Sequence, residues 1–367
     1  MKLRYKIGGG CVILLTVAIS ALALVLSYDS ACGSAPAVSD GAETMGAIVY
    51  RCYGSTEVLN FEEVEKPVPT DDEVLVRVRA AAVNPLDWHF MRGTPYLLRL
   101  LSGVGTPKET GLGVDFSGTV EAVGNNVKRF KTGDAVFGAG SGVFAEYLTI
   151  GENGPLVLKP TDVSFEQAAS VPIAGVTALQ ALRDLGKLQP GQKVLINGAS
   201  GGVGTFAVQI AKSFGAEVTG VCSTRNVEMV RSIGADHVFD YTQEDYTESG
   251  KRFDLIIDMV GNHTLSENRR VLKPEGIFVI VGGGKGNWLG PLMTPIKALM
   301  MSPFVSQEFV MILAELRQGD LAILGDLMQS GKVTPVIDSR YRLMDVAAAI
   351  AHSEDGHARG KIIIDLE

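Results

Sequence analysis

"VLINGASGGVG", residues 194–204, places four glycines directly behind an apolar run, and a helical pattern follows at 204–215. A second apolar strand, "EVTGVC", follows at 217–222. A strand, a glycine loop, a helix and a second strand within about thirty residues are typical of a dinucleotide-binding unit, because the glycines allow the turn and leave helical N–H groups free to face a pyrophosphate. The predicted cofactor-binding residues are Gly198, Ala199, Ser200, Gly201, Gly202, Val203 and Gly204. The alternative is a strand-to-helix turn that binds nothing.

The segments around this loop predict an α/β fold. From residue 166 to 334 strand and helix patterns alternate, and "DLIIDMVG" and "GIFVIVGGG" are apolar runs typical of parallel strands covered on both faces. This part is predicted to be a Rossmann domain with a doubly wound parallel sheet. Its first helix is predicted to run from an N-cap at Ser164 to a C-cap at Gly186. Residues 45–165 show short strands typical of a β-barrel, and residues 335–367 are predicted to return to that domain.

The end of the second strand predicts which dinucleotide binds. An NAD site would place Asp or Glu there to accept hydrogen bonds from the ribose 2′-hydroxyl. This chain instead has Ser223, Thr224 and Arg225, two hydroxyls and a guanidinium that suit a 2′-phosphate. The predicted cofactor is therefore NADPH; the alternative is that Arg225 is merely solvated at a helix start.

Two further strand ends lie at the carboxyl edge, where a parallel sheet binds its ligands. The segment "MVGN" contains Val260 and Gly261, and "VGGG" contains Gly283. These three residues are also predicted to contact the cofactor.

The composition excludes some classes of function. With 46% hydrophobic and 20% charged residues the chain is typical of a globular enzyme. A net charge of −8 without a basic block predicts no nucleic-acid partner. The four cysteines, at 11, 32, 52 and 222, form no C-x-x-C pair, so their spacing predicts neither a disulfide framework nor a structural zinc site.

The N-terminus carries "MKLRYK" and then twenty uncharged residues, 7–26. That length can span a bilayer, so residues 1–44 are predicted to be a single-pass membrane anchor and a linker. A signal peptide cleaved near 35–37 is an alternative. Positive charge before the span predicts a catalytic part outside the cytoplasm, where NADPH is scarce, so translation that begins at Met45 is another alternative.

The stretch "GQKVLINGASGGVGTFAVQIAK", residues 191–212, resembles the zinc-free quinone oxidoreductase (zeta-crystallin-like) branch of the medium-chain dehydrogenase/reductase superfamily. "AAVNPLDWHFMRG", "GVDFSGTVEAVG" and "GHARGKIIIDLE" match it in the same order, and the resemblance covers Met45 to Glu367. It implies a GroES-like catalytic domain, a Rossmann domain and a homodimer. It also implies NADPH-dependent hydride transfer to a small hydrophobic quinone or α,β-unsaturated carbonyl compound. A non-catalytic NADPH-binding sensor or scaffold and a zinc-dependent alcohol dehydrogenase are the alternatives.

The resemblance also implies roles for single residues. Asn84, Asp87 and Thr177 are expected near the nicotinamide and the substrate, with Asn84 donating to the substrate oxygen. Each has a plain alternative, since N-P-x-D is a good turn sequence and a helical threonine often bonds its own backbone. Tyr241 and Lys361 are expected on the cofactor, with core filling and a solvated lysine as their alternatives.

Metal ligands are predicted to be absent. Where zinc-dependent relatives have cysteine and G-H-E, this chain has Asn84 and Val114-Asp115, which cannot supply a tetrahedral site. The methionine-rich segment 286–310 stays open between a substrate cleft, a dimer surface and a core helix.

Overall fold

The structure, a computed structural model, describes residues 16–283, 286–288 and 290–366. It contains a β-rich domain and a domain built on a parallel sheet flanked by helices. The predicted α/β fold class is confirmed.

The last turn of the N-terminal helix α1, residues 16–27, and the segment that follows it dock on the β-rich domain. The guanidinium of Arg99, a residue only 1% exposed, donates to the carbonyl oxygens of Leu26 and Tyr28, each at 3.0 Å. It also pairs with the Asp29 carboxylate at 2.7 Å. The side chain of Leu26 is itself buried, so this segment is part of the folded structure.

This arrangement replaces the predicted membrane anchor. Residues 7–15 of the predicted span lie outside the described residues, and the remainder, residues 16–26, belongs to α1. Across the described ranges, which begin at residue 16, no helix combines the length and the apolarity needed to cross a membrane. The prediction of a single-pass anchor is therefore wrong. That prediction rested only on the length of an uncharged run. Length alone does not indicate that Arg99 binds the backbone at Leu26 and Tyr28.

Cys32 and Cys52 form a disulfide, with Cα atoms 4.6 Å apart. The spacing of the cysteines predicted no disulfide framework, and this pair contradicts that prediction. The physical reason is the docked segment, which brings Cys32 to the domain across 20 residues of sequence. Cys222 is a free, buried thiol.

The β-rich domain is organised around its third strand, whose eleven residues are mostly buried and pair with strands on both sides. Its strands are β1 Thr44–Val49, β2 Asn60–Glu65, β3 Glu73–Val83, β4 Asp115–Val123, β5 Ala135–Ala139, β6 Tyr147–Gly151 and β7 Leu156–Leu158. Helices α2 Pro85–Arg92 and α3 Arg99–Ser102 lie between β3 and β4. β3 is antiparallel to β4 and β6.

The second domain alternates helices and parallel strands. Its elements are α4 Phe165–Ala169, α5 Pro172–Gln180, β8 Lys193–Asn197, α6 Gly202–Ser213, β9 Glu217–Cys222, α7 Val227–Ser232, β10 His237–Asp240, β11 Phe253–Asp258, α8 Leu265–Val271, β12 Leu272–Ile280, α9 Gly290–Met301, β13 Glu308–Met311 and α10 Gln318–Gln329. The strands lie in the order β10-β9-β8-β11-β12-β13. This order reverses between β8 and β11, which is where such sheets bind ligands at their carboxyl ends.

The helix predicted from Ser164 to Gly186 is divided. Ser164 does cap α4, accepting a bond from the Gln167 N–H at 3.1 Å. Pro172 then starts α5, and a π-helical turn, Ala181–Leu185, completes the segment. The break follows from proline, which lacks an N–H and favours the first turn of a helix.

The chain ends against the first domain. β14 Ile337–Arg342, α11 Val346–Glu354 and β15 Lys361–Asp365 complete the element order. β15 is antiparallel to β3 and parallel to β14, so these strands extend the first sheet to the order β14-β15-β3-β4-β5-β7. The predicted domain bounds, 45–165 with 335–367 and 166–334, stay predictions.

Candidate active site

The glycine loop lies between the carboxyl end of β8 and the first turn of α6. The N–H groups of Gly198 and Ala199 donate to the Val221 carbonyl at 3.2 and 3.0 Å. A Cβ on Gly204 would lie 2.1 Å from the Gly198 carbonyl oxygen, so no side chain fits between helix and loop. α6 begins at Gly202, and the N–H groups of a first turn have no carbonyl partner within the helix. The loop can therefore present N–H groups to an anion.

A buried asparagine connects this loop to the end of β9. Asn226 donates through Nδ2 to the hydroxyls of Ser200 and Ser223, at 3.1 and 3.2 Å. Its Oδ1 is buried and has no hydrogen-bond partner among the described residues. Sequence reasoning missed Asn226; its signal was a helix-capping residue type directly after "STR".

The residues predicted to choose the cofactor lie together at this strand end. The Thr224 hydroxyl is 2.9 Å from the Thr242 hydroxyl, which in turn donates to the Asp240 carboxylate at 2.7 Å. Arg225 is exposed, and its Nη2 donates to the His357 carbonyl at 2.9 Å. The guanidinium is thus anchored by the C-terminal part of the chain while remaining open to solvent.

The neighbouring strand end is organised by Asp258. Its Oδ1 accepts from the Asn197 side chain at 2.9 Å. The same oxygen accepts from the backbone N–H groups of Val260 and Gly261, each at 3.0 Å. Sequence reasoning also missed Asp258, a carboxylate at the end of an otherwise apolar strand.

The remaining predicted cofactor residues at this edge are exposed. The Val260 side chain lies over the glycine loop, where a Cβ on Gly198 would be 3.0 Å from its Cγ2. Gly283 is exposed as well. Tyr241 is 60% exposed and follows β10, which excludes the alternative that it fills the core.

The C-terminal strand meets the glycine loop directly. The Gly360 N–H donates to the Ser200 carbonyl at 2.9 Å, and Gly201 and Gly360 form an isolated bridge. A Cβ on Gly360 would lie 2.2 Å from the Val336 carbonyl oxygen, so the packing of this residue against Val336 requires glycine. The next residue, Lys361, is thereby carried to the boundary between the two domains.

Lys361 lies in a buried polar cluster with two residues of the first domain. Its Nζ is 2.5 Å from Asn84 Oδ1 and 3.3 Å from Asp115 Oδ2. The exposed fractions of Lys361, Asn84 and Asp115 are 3%, 1% and 0%, which excludes the alternative of a solvated lysine. Burial raises the pKa of Asp115, and the Lys361 ammonium opposes that rise.

Asp87 completes this cluster, and its carboxylate Oδ2 accepts the Asn84 N–H at 2.7 Å. This is a helix-capping bond at the start of α2, as the turn alternative for N-P-x-D expects. Burial, with repulsion from Asp115, raises the pKa of Asp87 to about 7. Its Oδ1 is buried without a hydrogen-bond partner in the described part of the chain. Asp87 is thus both a cap and a carboxyl poised to titrate near neutral pH.

Thr177 is buried in α5, and its hydroxyl donates to the Ile173 carbonyl at 2.7 Å. This is the self-bonded alternative for a helical threonine. The Ile173 N–H donates to Asp115 Oδ1 at 3.0 Å, so α5 is attached to the buried cluster.

The methionine-rich segment reaches the first domain. Tyr96 donates through its N–H to the Asn287 carbonyl at 2.7 Å, and its ring lies 4.8 Å from the Trp288 ring. Leu299 and Met300 of α9 are exposed, so a simple core helix does not describe this segment.

The donor set of the cluster does not fit a zinc ion. An ammonium group lies between the oxygens of Asn84 and Asp115, where a second cation would be repelled. Within the ranges that the structure describes, no three His, Cys, Asp or Glu side chains are grouped to hold a metal.

Comparisons with known proteins identify the family. The alcohol dehydrogenase GroES-like domain matches residues 70–161, and the zinc-binding dehydrogenase model matches residues 233–364. The chloroplast envelope quinone oxidoreductase homolog of Arabidopsis thaliana is 35% identical over 339 residues, which cover 88% of this chain and 98% of that protein. The 2-methylene-furan-3-one reductase of Solanum lycopersicum is 33% identical over 336 residues, covering 87% of this chain and 79% of that one.

Solved structures agree with this assignment. The quinone oxidoreductase from Coxiella burnetii has a TM-score of 0.79 and 29% identity, covering 89% of this chain and all of that one. The Escherichia coli quinone oxidoreductase, solved in complex with NADPH, has a TM-score of 0.75 and 25% identity, covering 88% of this chain and all of that one.

Proposed function

Since the chain belongs to the quinone oxidoreductase family of the medium-chain dehydrogenase/reductase superfamily, we propose that it transfers a hydride from NADPH to a quinone or an α,β-unsaturated carbonyl compound. The observation that carries this proposal is the contact between its two domains. The Gly360 N–H bonds the Ser200 carbonyl of the glycine loop, and the adjacent Lys361 bonds Asn84. A dinucleotide on the loop and a substrate beside Asn84 would therefore be neighbours.

The glycine loop fits the pyrophosphate of NADPH, which supplies the hydride when it is bound. The first turn of α6 offers N–H groups, and a Cβ on Gly204 would fill the space that the loop needs. The unpartnered Asn226 Oδ1 would accept a hydrogen bond from a ribose hydroxyl of the cofactor. Ser223, Thr224 and Arg225 would hold the 2′-phosphate. In addition, Tyr241, Val260, Gly261 and Gly283 line the carboxyl edge on which the cofactor lies.

The proposed acceptor is a conjugated carbonyl, because among the described residues the Lys361 ammonium lies beside Asn84 and Asp115, where a Lewis acid that stabilises an alkoxide would have to bind. Hydride addition to a conjugated system places the electron pair on an oxygen that needs only a hydrogen-bond donor. The Asn84 Nδ2 supplies that donor, while the burial of Asn84 and Thr177 keeps competing water away. Tyr96 and Trp288 provide apolar surface for a hydrophobic acceptor. Catalysis proceeds without zinc, and stoichiometric zinc in the purified chain would contradict this.

The chain assembles as a homodimer through the outer edge of β13. That strand is last in its sheet, and an open strand edge can pair with a copy of itself. Phe304 and Leu313, which flank it, are exposed apolar side chains. Light scattering on the purified chain should give twice the monomer mass of 39.0 kDa. The Leu313→Glu variant should give the mass of a single monomer.

The activity is tested by following NADPH oxidation with a panel of quinones and enones. Saturated ketones of the same size are the matched control, because they lack conjugation. We expect oxidation with the conjugated acceptors only. Tight NADPH binding without oxidation by any acceptor would contradict the proposal and favour a non-catalytic sensor or scaffold.

A further inference from the structure

The side-chain amide of Asn84 has one orientation fixed by its neighbour. An amide presents an oxygen acceptor and a nitrogen donor, and either can face a given partner. A lysine ammonium can only donate, so the Lys361 Nζ at 2.5 Å must face the oxygen. The amide nitrogen then points elsewhere, and its contact with the Ala82 carbonyl is long, at 3.4 Å. The Asn84 side chain also hydrogen-bonds the Asp115 carboxylate and thereby lowers the pKa of that group. Because the Ala82 contact is long and Asp115 is already bonded by Lys361 and by the Ile173 N–H, the Asn84 Nδ2 can still donate to an acceptor oxygen.

Lys361 is itself held rigidly enough to impose this orientation. Its ammonium also bonds Asp115, which accepts the Ile173 N–H from α5. Its stem lies beside the glycine loop, where a Cβ on Gly202 would be 3.2 Å from its Cδ. The side chain is buried along its length, so no solvated rotamer competes with the observed one.

We propose that Lys361 is a positioning residue, which holds the Asn84 amide so that its Nδ2 faces the carbonyl oxygen of the acceptor. This inference rests on the proposed hydride transfer. It differs from the predicted contact of Lys361 with the cofactor, because the ammonium already bonds Asn84 Oδ1 and Asp115 Oδ2 of the first domain.

The consequence appears during the chemical step. As the hydride adds to the acceptor, negative charge grows on the acceptor oxygen and the Asn84 N–H stabilises it. Without the ammonium, the amide can turn and present its own oxygen to that charge, which is repulsive. Loss of Lys361 therefore lowers kcat and leaves the KM for NADPH unchanged.

The test compares Lys361→Met with Lys361→Arg and with the exposed control Lys332→Met. The methionine variant should lose about a hundredfold to a thousandfold in kcat, the range for loss of a hydrogen-bond donor to a developing oxyanion. Arginine, which can also donate to Asn84, should restore much of it. The control should match the wild type. A raised KM for NADPH with unchanged kcat would overturn the proposal and assign Lys361 to the cofactor.

A double-mutant cycle separates positioning from a structural role. In an Asn84→Ala background, Lys361→Met should cost no further activity, whereas a structural role would lower kcat in both backgrounds. If Lys361→Met fails to fold, the double variant Lys361→Met/Asp115→Asn is measured instead, because it removes the carboxylate that would otherwise be buried without its ammonium partner. In that case Lys361→Arg must still retain its kcat. If the wild type is active and its Lys361 variants keep full kcat, only the positioning role of Lys361 is overturned. An inactive wild type overturns the proposed function with it.

Discussion

Replacing Asp87 with asparagine should make the stability of the chain much less dependent on pH. Burial raises the pKa of Asp87 to about 7 in the folded chain, while in the unfolded chain its pKa is about 4. Between these values the folded chain holds a proton that the unfolded chain has released, so the free energy of unfolding falls as the pH rises. The slope is about 1.4 kcal/mol per pH unit well below pH 7 and halves at pH 7, so about 2 kcal/mol is lost between pH 5 and pH 7 and about 3 kcal/mol by pH 8. Asparagine has the same shape and does not ionise, so the variant escapes this loss.

The assay is urea denaturation of both chains at pH 5 and pH 8. Every other group is present in both chains, so the difference between their pH dependences comes from Asp87 and from its repulsion of Asp115. The exposed Asp326→Asn is the matched control and should follow the wild type. Between pH 5 and pH 8 the free energy of unfolding of Asp87→Asn should fall by about 3 kcal/mol less than that of the wild type. An equal loss in the two chains would refute the argument that this carboxyl is protonated near neutral pH.

Three further predictions concern the cofactor site and the N-terminal segment. Arg225→Ala should lower the preference for NADPH over NADH about tenfold or more, since a hydrogen bond to a charged group contributes about 1.5–3 kcal/mol; equal losses in affinity for the two cofactors would contradict this. Gly204→Ala should abolish NADPH binding measured by fluorescence, whereas Gly319→Ala, whose Cβ meets nothing within 4 Å, should bind normally. NADPH binding by Gly204→Ala would contradict the argument that no side chain fits at residue 204. Reduction of the Cys32–Cys52 disulfide should lower the free energy of unfolding by about 3 kcal/mol, measured in urea with and without dithiothreitol. An unchanged midpoint would contradict a stabilising bond.

The sequence predicted those features that depend on short-range pattern. The glycine loop could be identified because its strand, turn and helix are consecutive, and the backbone requirement at Gly198, with φ of +90°, falls on a residue type that tolerates it. The choice of NADPH rested on three consecutive residues at one strand end. Both arguments need no knowledge of how distant segments meet.

The features that sequence reasoning missed depend on long-range packing. Lys361 and Asn84 are 277 residues apart, and only the pairing of β15 with β3 brings them together. The docked segment after α1 likewise depends on Arg99, 71 residues beyond Tyr28. The uncharged run at residues 7–26 is a local signal. It contains no information about the guanidinium of Arg99, which lies far along the chain and binds the backbone at Leu26 and Tyr28.

The most direct test of the central claim follows the hydride itself. NADPH deuterated at the transferring position of C4 is incubated with the full chain and an α,β-unsaturated ketone, and the product is examined by NMR and mass spectrometry. Hydride transfer to a conjugated acceptor predicts one deuterium at the β-carbon of the saturated ketone, with the α-hydrogen coming from solvent. Deuterium on the carbonyl carbon, or NADPH that stays unoxidised with every conjugated acceptor, would contradict the account.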